Sequence, residues 1–407
     1  MPETRPFIPE AAGLGLYIHI PYCVHKCGYC DFNSYAGAPE SQMEEYVSAL
    51  RRELHHWQSD PRVRGRSIET LYFGGGTPSL LPTGALLSIL EDCARSFSLA
   101  EGLEVTLEAN PGTLTLEKLK ILRSGGFNRL SLGIQALSDP LLRTLERIHT
   151  VAEGVEAVRS GRRAGFSNLS IDLMFAVPGQ TLEQWRWTLS AAKALGPDHI
   201  SCYHLTLEPG TDFYRLWRQG GLLLPPEEDG VAMLEETMDF LPAAGFEHYE
   251  ISNFALPGRR SLHNQTYWRN QEYLGLGAGA HSFLGGERFC NFHLPRRYVA
   301  AVREKGSAVS SRERSTGATA LGESFMMGLR LLEGIDLEEL SNRYWIPVGE
   351  AYRSSFRELV EKGLVSLEGN CLKLTRKGIL FSNEVFMALL SPPPEAAPLI
   401  SQLTINQ

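Results

Sequence analysis

The chain has 407 residues, enough for two or three domains, and its hydrophobic content of 43% and charged content of 21% are ordinary for a globular protein. The formal net charge of −8 argues against a nucleic-acid binder, which normally shows a basic face. No apolar stretch approaches the length of a membrane span, and the first residues lack a targeting pattern. We therefore expect a cytoplasmic protein with at most peripheral membrane attachment.

Short β-branched and apolar runs alternate with longer amphipathic stretches through the first half of the chain. The predicted strands are Leu16–Ile20, Thr70–Phe73, Glu104–Ala109, Arg129–Ile134, Leu169–Met174 and His199–Leu205. The predicted helices are Gln42–Trp57, Gly84–Phe97, Leu116–Arg123, Val151–Ala164 and Leu182–Leu195. This alternation predicts an α/β fold with a parallel sheet, and about six such units predict a partial, open βα barrel rather than a closed barrel of eight.

Residues 1–224 form the first predicted domain, and the pattern changes after them. Residues 225–318 predict a small mixed α/β segment that covers the barrel, with a helix around Val231–Leu241 and a strand around His248–Ile251. Residues 319–390 predict a C-terminal helical domain that resembles a winged helix, in which a Gly369-Asn370 turn joins two short strands. Residues 391–407 are proline-rich and are predicted to form a loose tail.

Three cysteines follow the first predicted strand. Cys23, Cys27 and Cys30 have the spacing C-x3-C-x2-C, and three thiolates on one tight loop can hold three irons of a cubic 4Fe–4S cluster. The alternative is zinc with His19 or His25 as fourth ligand, but structural zinc sites usually pair two cysteine hooks and the sequence has no second hook. A disulfide is disfavoured, because the total of 7 cysteines is odd and the others are scattered singly.

Polar residues recur at the carboxyl ends of the predicted strands, where parallel βα folds collect their chemistry. The cysteine loop follows the first strand, a Gly74–Pro78 run follows the second, Glu108 and Asn110 end the third, Gln135 ends the fourth, Asp172 lies within the fifth, and His204 lies near the end of the sixth. Each has a plain structural explanation by itself, since a glycine run is often only a turn. Together they predict one functional rim.

The cysteine spacing resembles the signature of radical S-adenosylmethionine (SAM) proteins, in which the open iron of the cluster binds the amino and carboxylate groups of SAM. The resemblance implies cluster ligation by Cys23, Cys27 and Cys30 and an electron donor for the cluster. It also implies SAM contacts from Tyr17, Tyr29, Phe32, Gly75, Gly76, Thr77, Glu108, Gln135, Arg147 and Asp172. An arginine suits the SAM carboxylate, because its planar fork binds both oxygens.

The runs YIHIPYC, FGGGTPS, LEANPG, LSLGIQ and IDLMFAVPGQT resemble, in order and over nearly the whole chain, oxygen-independent coproporphyrinogen III oxidase and its relatives. The oxidase pattern has a further cysteine two residues after the third, where this chain has Phe32. The oxidase also has a longer segment before the first strand than the short lead that precedes Tyr17 here. Both departures resemble instead the HemW-type haem chaperones, which bind a cluster and SAM and deliver haem.

A histidine motif points the same way. The run from His263 to Trp268 matches an H-N-x-x-Y-W pattern that is associated with haem binding in that group. Neutral imidazole is a common axial ligand of haem iron, so the resemblance implies haem contact at His263. His281 is a second candidate, and the plain alternative for either residue is a core or surface histidine.

The main hypothesis is a haem chaperone that binds a 4Fe–4S cluster, SAM and haem and delivers haem to acceptor proteins. It implies that the protein lacks coproporphyrinogen oxidase activity. The alternative is a radical enzyme that acts on a porphyrinogen and oxidatively decarboxylates the propionate groups of coproporphyrinogen III. A third hypothesis is a radical SAM methyltransferase or a haem-degrading relative. The sequence leaves open whether the chain forms a homodimer and whether SAM is cleaved or only bound.

Overall fold

A computed structural model describes residues 13–315 and 317–393. The strands are β1 (Leu14–Ile20), β2 (Tyr22–Cys23), β3 (Tyr35–Ala36), β4 (Ser67–Gly75), β5 (Ser98–Ala109), β6 (Arg129–Gln135), β7 (Leu169–Phe175), β8 (His199–His204), β9 (Glu247–Glu250), β10 (Asn253–Ala255), β11 (Tyr273–Leu276), β12 (His281–Leu284), β13 (Glu287–Asn291), β14 (Val309–Arg314), β15 (Ile335–Asp336), β16 (Val365–Glu368) and β17 (Cys371–Leu374).

The helices of the described residues alternate with these strands through the first half and dominate the C-terminal part. They are α1 (Glu40–Trp57), α2 (Thr83–Ser96), α3 (Leu116–Ser124), α4 (Asp139–Thr144), α5 (Val151–Arg163), α6 (Leu182–Ala194), α7 (Asp212–Arg218), α8 (Glu227–Ala243), α9 (Leu262–Trp268), α10 (Pro295–Lys305), α11 (Ala318–Gly328), α12 (Leu337–Tyr344), α13 (Val348–Ala351), α14 (Arg353–Glu361), α15 (Arg376–Leu380) and α16 (Ser382–Leu390).

A 12-stranded sheet forms the main body, in the order β14-β13-β12-β11-β1-β4-β5-β6-β7-β8-β10-β9. Every neighbouring pair from β11 to β8 is parallel, and the pairs beyond these two strands are antiparallel. The terminal strands β14 and β9 are not paired with each other among the described residues, so the barrel stays open. The predicted partial βα barrel is confirmed.

The central strands are buried on both faces, as parallel strands covered by helices are. In β1 and in β7, six of the seven positions are buried, and the exceptions are Tyr17 and Asp172. Helices α5 and α6 each begin at a capping box, formed by Thr150 with Glu153 and by Thr181 with Gln184. Such reciprocal bonds satisfy two of the free N–H groups at a helix start and fix where the helix begins.

Strands of the segment from 225 to 318 join the main sheet at both of its edges. Strand β10 pairs with β8 at one edge of the sheet, and β11 pairs with β1 at the other, where β12 to β14 follow. Phe289, Tyr298 and Val302 belong to the same hydrophobic core as the barrel strands. The segment therefore widens the sheet at both edges. Pairings between strands so distant in sequence leave no local pattern from which to predict them.

The C-terminal region has a second hydrophobic core, in which Phe325, Tyr352 and Phe356 pack together with Met238 of α8. Its three-stranded sheet has the order β15-β17-β16. The helix predicted over Thr375–Leu390 is divided into α15 and α16 at Phe381, whose φ of −110° and ψ of 30° are not helical. Most of the tail predicted over 391–407 lies outside the described residues. Within 13–315 and 317–393, no helix combines the length and apolar character needed to cross a bilayer.

Candidate functional site

The cysteine loop lies between β1 and β3, at the carboxyl edge of the parallel strands, and its thiols are free. Thr77 Oγ1 donates a hydrogen bond to Cys23 Sγ at 3.4 Å. Arg147 Nη1 donates to Cys27 Sγ at 3.8 Å. Burial raises the pKa of the Cys23 and Cys27 thiols, and these two donors act against that rise. Donors aimed at sulfur stabilise the deprotonated form that an iron–sulfur cluster needs.

The two sulfur atoms are joined by a chain of side-chain hydrogen bonds. Arg147 Nη2 donates to Asn110 Oδ1 at 2.5 Å, and Asn110 Nδ2 donates to Thr77 Oγ1 at 2.8 Å. The chain therefore runs from Cys27 through Arg147, Asn110 and Thr77 to Cys23. Arg147 Nε is buried and has no hydrogen-bond partner among the described residues. This N–H is thus the donor of the guanidinium that the described residues leave unsatisfied.

Glu146 and Phe213, which the sequence analysis did not single out, hold the backbone of the cysteine loop at Gly28. Glu146 Oε2 accepts a hydrogen bond from Gly28 N at 2.8 Å, and Gly28 O accepts one from Phe213 N at 2.9 Å. A Cβ at position 28 would lie 2.6 Å from the Phe213 ring. The glycine between two of the cysteines was the available signal, because a required glycine marks a close approach.

The predicted glycine-rich turn packs directly against the start of the cysteine loop. Gly75 has a φ of +112°, and a Cβ there would lie 2.5 Å from the His19 ring. A Cβ on Gly76 would lie 2.8 Å from Tyr22 O, and Thr77 N donates to the same oxygen at 2.8 Å. The absence of side chains therefore lets the turn and the loop share one surface.

Two acidic side chains face this surface. Glu108 accepts hydrogen bonds from Tyr72 Oη at 2.7 Å and from Gly75 N at 3.1 Å. Burial, with a contribution from the nearby Asp172, raises the pKa of Glu108 to about 7. Burial also raises the pKa of Asp172. A bound cation would favour the ionised forms of both carboxyl groups, so the pair suits a positively charged ligand.

Backbone strain is concentrated at the same rim. Gln135, Glu146 and Ala176 have φ values of 64°, 55° and 56°, in the left-handed region that non-glycine residues rarely adopt. Gln135 also follows a register shift in the pairing of β6 with β7. Such conformations cost about 1–3 kcal/mol each and gather at ligand sites, where the surrounding structure enforces them.

The aromatic residues predicted to contact SAM are divided between two places. Tyr29 lies edge-on to Phe213 with 6.1 Å between ring centroids, beneath the cysteine loop. Tyr17 and Phe32 instead line a cavity of about 730 Å³ beside that loop, and Phe32 is 69% exposed. The rim thus brings together the cysteines, the glycine turn, Glu108 and Arg147, whereas Phe32 points to a second space.

His263 lies in α9 and is completely buried. Its Nδ1 is 2.8 Å from Thr70 Oγ1 and its Nε2 is 2.8 Å from Tyr267 Oη, and the ring stacks on Tyr72 at 5.0 Å. Burial lowers its pKa to about 3, so the imidazole is neutral. Both ring nitrogens are therefore engaged within the protein, and haem contact at His263 stays a prediction that needs these bonds to break.

Two buried charged residues that the sequence did not reveal, Glu104 and Arg129, lie near this histidine. Glu104 accepts hydrogen bonds from the backbone N–H groups of Leu262 and His263, at 3.2 and 3.1 Å. Arg129 at the start of β6 is buried, and Glu104 is the acidic residue that most stabilises its charge. The hydrogen bonds from Glu104 thereby hold helix α9 across the amino-terminal end of the barrel, which is called the floor below.

Within the described residues, the structure offers no set of ligands for the zinc alternative. His19 Nδ1 lies 3.0 Å from Tyr17 Oη and its Nε2 lies 2.9 Å from Asn33 O, so both nitrogens are occupied. His25 lies 3.8 Å from the Glu146 carboxylate. Among the described residues, no three His, Cys, Asp or Glu side chains are grouped to hold a single metal ion. A cluster with irons at the corners of a cube spreads its cysteine ligands more widely than one ion does.

An open βα barrel with a three-cysteine loop, a glycine turn and buried carboxyl groups at its rim defines a radical SAM protein. The family model of the radical SAM superfamily matches residues 17–192, and that of the HemN C-terminal domain matches residues 316–381. The protein named heme chaperone HemW in Bacillus subtilis is 38% identical, with 92% of this chain and 98% of that protein covered. The Escherichia coli protein of the same name is 34% identical, with the same shares covered.

The chain therefore belongs to the HemW family. The solved structure of coproporphyrinogen III oxidase (HemN) from Escherichia coli, described as a radical SAM enzyme, superposes with a TM-score of 0.80. That comparison covers 93% of this chain and 90% of the other at 24% sequence identity. The likeness shows that the fold is shared.

Proposed function

We propose that this protein is a haem chaperone that carries haem and delivers it to haem-requiring proteins. Family membership supports the proposal, because relatives named as heme chaperones match the chain along 98% of their own length. The observation that carries it is Phe32, a largely exposed phenyl group at a cavity, at the position where the oxidase pattern has a further cysteine. A reducing cytoplasm would suit both the thiols and an oxygen-sensitive cluster.

The cluster and SAM belong to the same proposal. Cys23, Cys27 and Cys30 would hold three irons, and a bound 4Fe–4S cluster would supply the electron that splits the SAM sulfonium. The chain's own contribution is to hold SAM in place. Arg147 would use its unpartnered Nε toward the SAM carboxylate, and Glu108 would face the ammonium group.

The remaining SAM contacts are proposed from the family resemblance together with their places in the fold. Gly75, Gly76 and Thr77 offer backbone close to the loop, and Gln135 and Asp172 lie on adjacent strands β6 and β7. Tyr29 lies beneath the loop, whereas Tyr17 and Phe32 face the neighbouring cavity. The latter two would reach SAM only from that side.

The test separates the chaperone from a coproporphyrinogen oxidase, which the complete rim also favours. The cluster is rebuilt anaerobically, and the protein receives coproporphyrinogen III, SAM and a strong reductant. We expect no decarboxylated product by chromatography, together with saturable binding of haem in a parallel titration. Product formed over many turnovers would make the protein an oxidase.

A matched variant secures the interpretation. Replacing Cys23, Cys27 and Cys30 by Ser should abolish the brown cluster absorbance, and any product that persists in this variant does not come from radical chemistry. A triple variant that keeps the cluster absorbance would contradict the assignment of the three cysteines.

A further inference from the structure

Asn110 occupies the middle of the hydrogen-bonded chain between Cys23 and Cys27, and it has no part in the binding of SAM or haem proposed above. It directly follows β5, in the LEANPG run of the sequence. Its backbone oxygen accepts hydrogen bonds from Thr113 N at 3.0 Å and from Thr113 Oγ1 at 2.7 Å. A Cβ on Gly133 would lie 3.0 Å from Asn110 Oδ1, so the neighbouring strand leaves room for the amide only because it has a glycine there. The structure thus holds this amide in one place.

The two ends of the chain fix the direction of every hydrogen bond within it. The guanidinium of Arg147 has only donors, so the amide oxygen of Asn110 faces it and the amide NH2 group faces Thr77. The Thr77 hydroxyl accepts from that NH2 group at 2.8 Å, which leaves its single hydrogen for Cys23 Sγ at 3.4 Å. Asn110 therefore contacts both side chains that donate to sulfur, and it orients the hydroxyl toward Cys23.

Donors to cysteine sulfur affect how readily a bound cluster takes up an electron. Reduction adds negative charge that the sulfur ligands share, and a hydrogen bond to sulfur favours the more negative state, so it raises the reduction potential. The donors to Cys23 and Cys27 both contact Asn110. The contact between Cys30 Sγ and Ser34 Oγ, at 3.9 Å, does not involve it. One amide thus governs the donors of two of the three sulfur atoms.

We propose that Asn110 is a positioning residue that raises the reduction potential of the cluster by orienting the donors to two of its sulfur ligands. The positive charge of Arg147 contributes through the amide, because hydrogen bonds in a chain polarise one another and strengthen the last donor. The inference rests on the proposed cluster ligation by Cys23, Cys27 and Cys30, and it adds a residue that controls the electron transfer of that cluster.

The test uses Asn110→Asp, which keeps the shape of the side chain but makes it an acceptor only. The carboxylate still accepts from Arg147, but it also takes the hydrogen of Thr77, so Cys23 loses its donor. The cluster is rebuilt anaerobically in the full-length chain, and a redox titration is followed by electron paramagnetic resonance. Asn110→Asp and Thr77→Val should each lower the equilibrium constant of cluster reduction by about two- to tenfold, where tenfold corresponds to about 59 mV for one electron. Thr77→Ser keeps the hydroxyl and should match the wild type.

The double variant Asn110→Asp/Thr77→Val separates this role from the effect of the added charge. The hydrogen bond to Cys23 can be lost only once, so the double variant should lower the potential by less than the sum of the two single variants. Additive effects, or a wild-type potential in Asn110→Asp, would overturn the proposal. A wild type that binds no 4Fe–4S cluster would overturn the cysteine assignment and this proposal with it. The haem titration tests the carrying function separately, because the cluster potential is measured without haem.

Iron content, cluster absorbance and thermal melting check that each variant is folded and loaded. Thr77→Ala replaces Thr77→Val where the latter fails this check, because it also lacks the hydroxyl. Asn110→Ala likewise replaces Asn110→Asp, because it removes the amide that orients the hydroxyl, and the same comparison with the double variant applies.

Discussion

Glu53 shows how a single buried carboxyl group fastens the strands that follow β11 to the barrel. It lies in α1 and is fully buried. Its Oε2 accepts hydrogen bonds from Gly277 N at 2.8 Å and from Tyr298 Oη at 2.7 Å, and its Oε1 accepts one from Asn291 Nδ2 at 2.7 Å. Burial outweighs these three bonds and raises the pKa of Glu53 to about 7.

The raised pKa has a definite effect on stability. Between the ordinary pKa near 4.5 and the folded value of about 7, the folded protein keeps the Glu53 proton and the unfolded chain has lost it. The stability that the neutral carboxyl contributes is therefore complete below pH 4.5 and is lost as the pH rises toward 7. The difference corresponds to about 3 kcal/mol, at roughly 1.4 kcal/mol per pH unit.

The perturbation is Glu53→Gln, which mimics the neutral carboxyl at every pH. The side-chain NH2 group of the new glutamine can donate but not accept, so at least one of the three donors around position 53 loses its acceptor. We therefore expect the variant to be less stable than the wild type by about 1–3 kcal/mol near pH 5. Near pH 8 the wild type carries a buried negative charge that the variant lacks. The stability advantage of the wild type over the variant should therefore fall by about 3 kcal/mol, so that it nearly vanishes or reverses in sign.

The assay is urea unfolding of the cluster-free protein, followed by tryptophan fluorescence and circular dichroism across this pH range. Glu44→Gln, an exposed residue of the same helix, is the matched control and should track the wild type. A stability difference between wild type and Glu53→Gln that stays constant with pH would refute the reasoning, because it would mean that Glu53 ionises alike in both states.

Three further predictions concern the rim and the floor of the barrel. Gly76→Ala places a Cβ 2.8 Å from Tyr22 O and should lower the melting temperature and the yield of reconstituted cluster absorbance. Arg147→Lys keeps the charge but loses the planar fork, so calorimetric SAM affinity should fall about tenfold or more while cluster absorbance is retained. Glu104→Ala removes the acidic residue that most favours the charge of Arg129 and leaves two N–H groups of α9 without an acceptor, so it should cost at least about 1–3 kcal/mol in urea unfolding. An unchanged value in any of these measurements would contradict the corresponding contact.

The barrel was predictable because each of its strands carries its own signal. β1, β4, β6 and β7 are short, largely apolar runs. The cysteine loop follows β1, β4 ends in the glycine turn, β6 ends at Gln135 and β7 carries Asp172, and the carboxyl ends of parallel strands meet at one edge. The sequence alone could therefore predict that one edge of the sheet brings together the cysteine loop, the glycine turn, Glu108 and Asp172.

The position of helix α9 and the strands that extend the sheet at its two edges could not be predicted in the same way. His263 and Tyr267 are four residues apart, a spacing that fits a bond within a helix as well as a haem motif. The depth of α9 depends on Glu104, which lies more than a hundred residues earlier in the chain. Arg129 occupies a strand that otherwise reads as apolar, and only its neighbours in space show why it is tolerated.

The cysteine loop contacts different surroundings on its two sides. Cys27 and Thr77 face the side of Arg147 and Asn110, whereas Lys26, Phe32 and Asn33 face the aromatic cavity. Substitutions at Lys26 or Phe32 therefore alter the cavity without removing a member of the hydrogen-bonded chain that joins the two sulfur atoms.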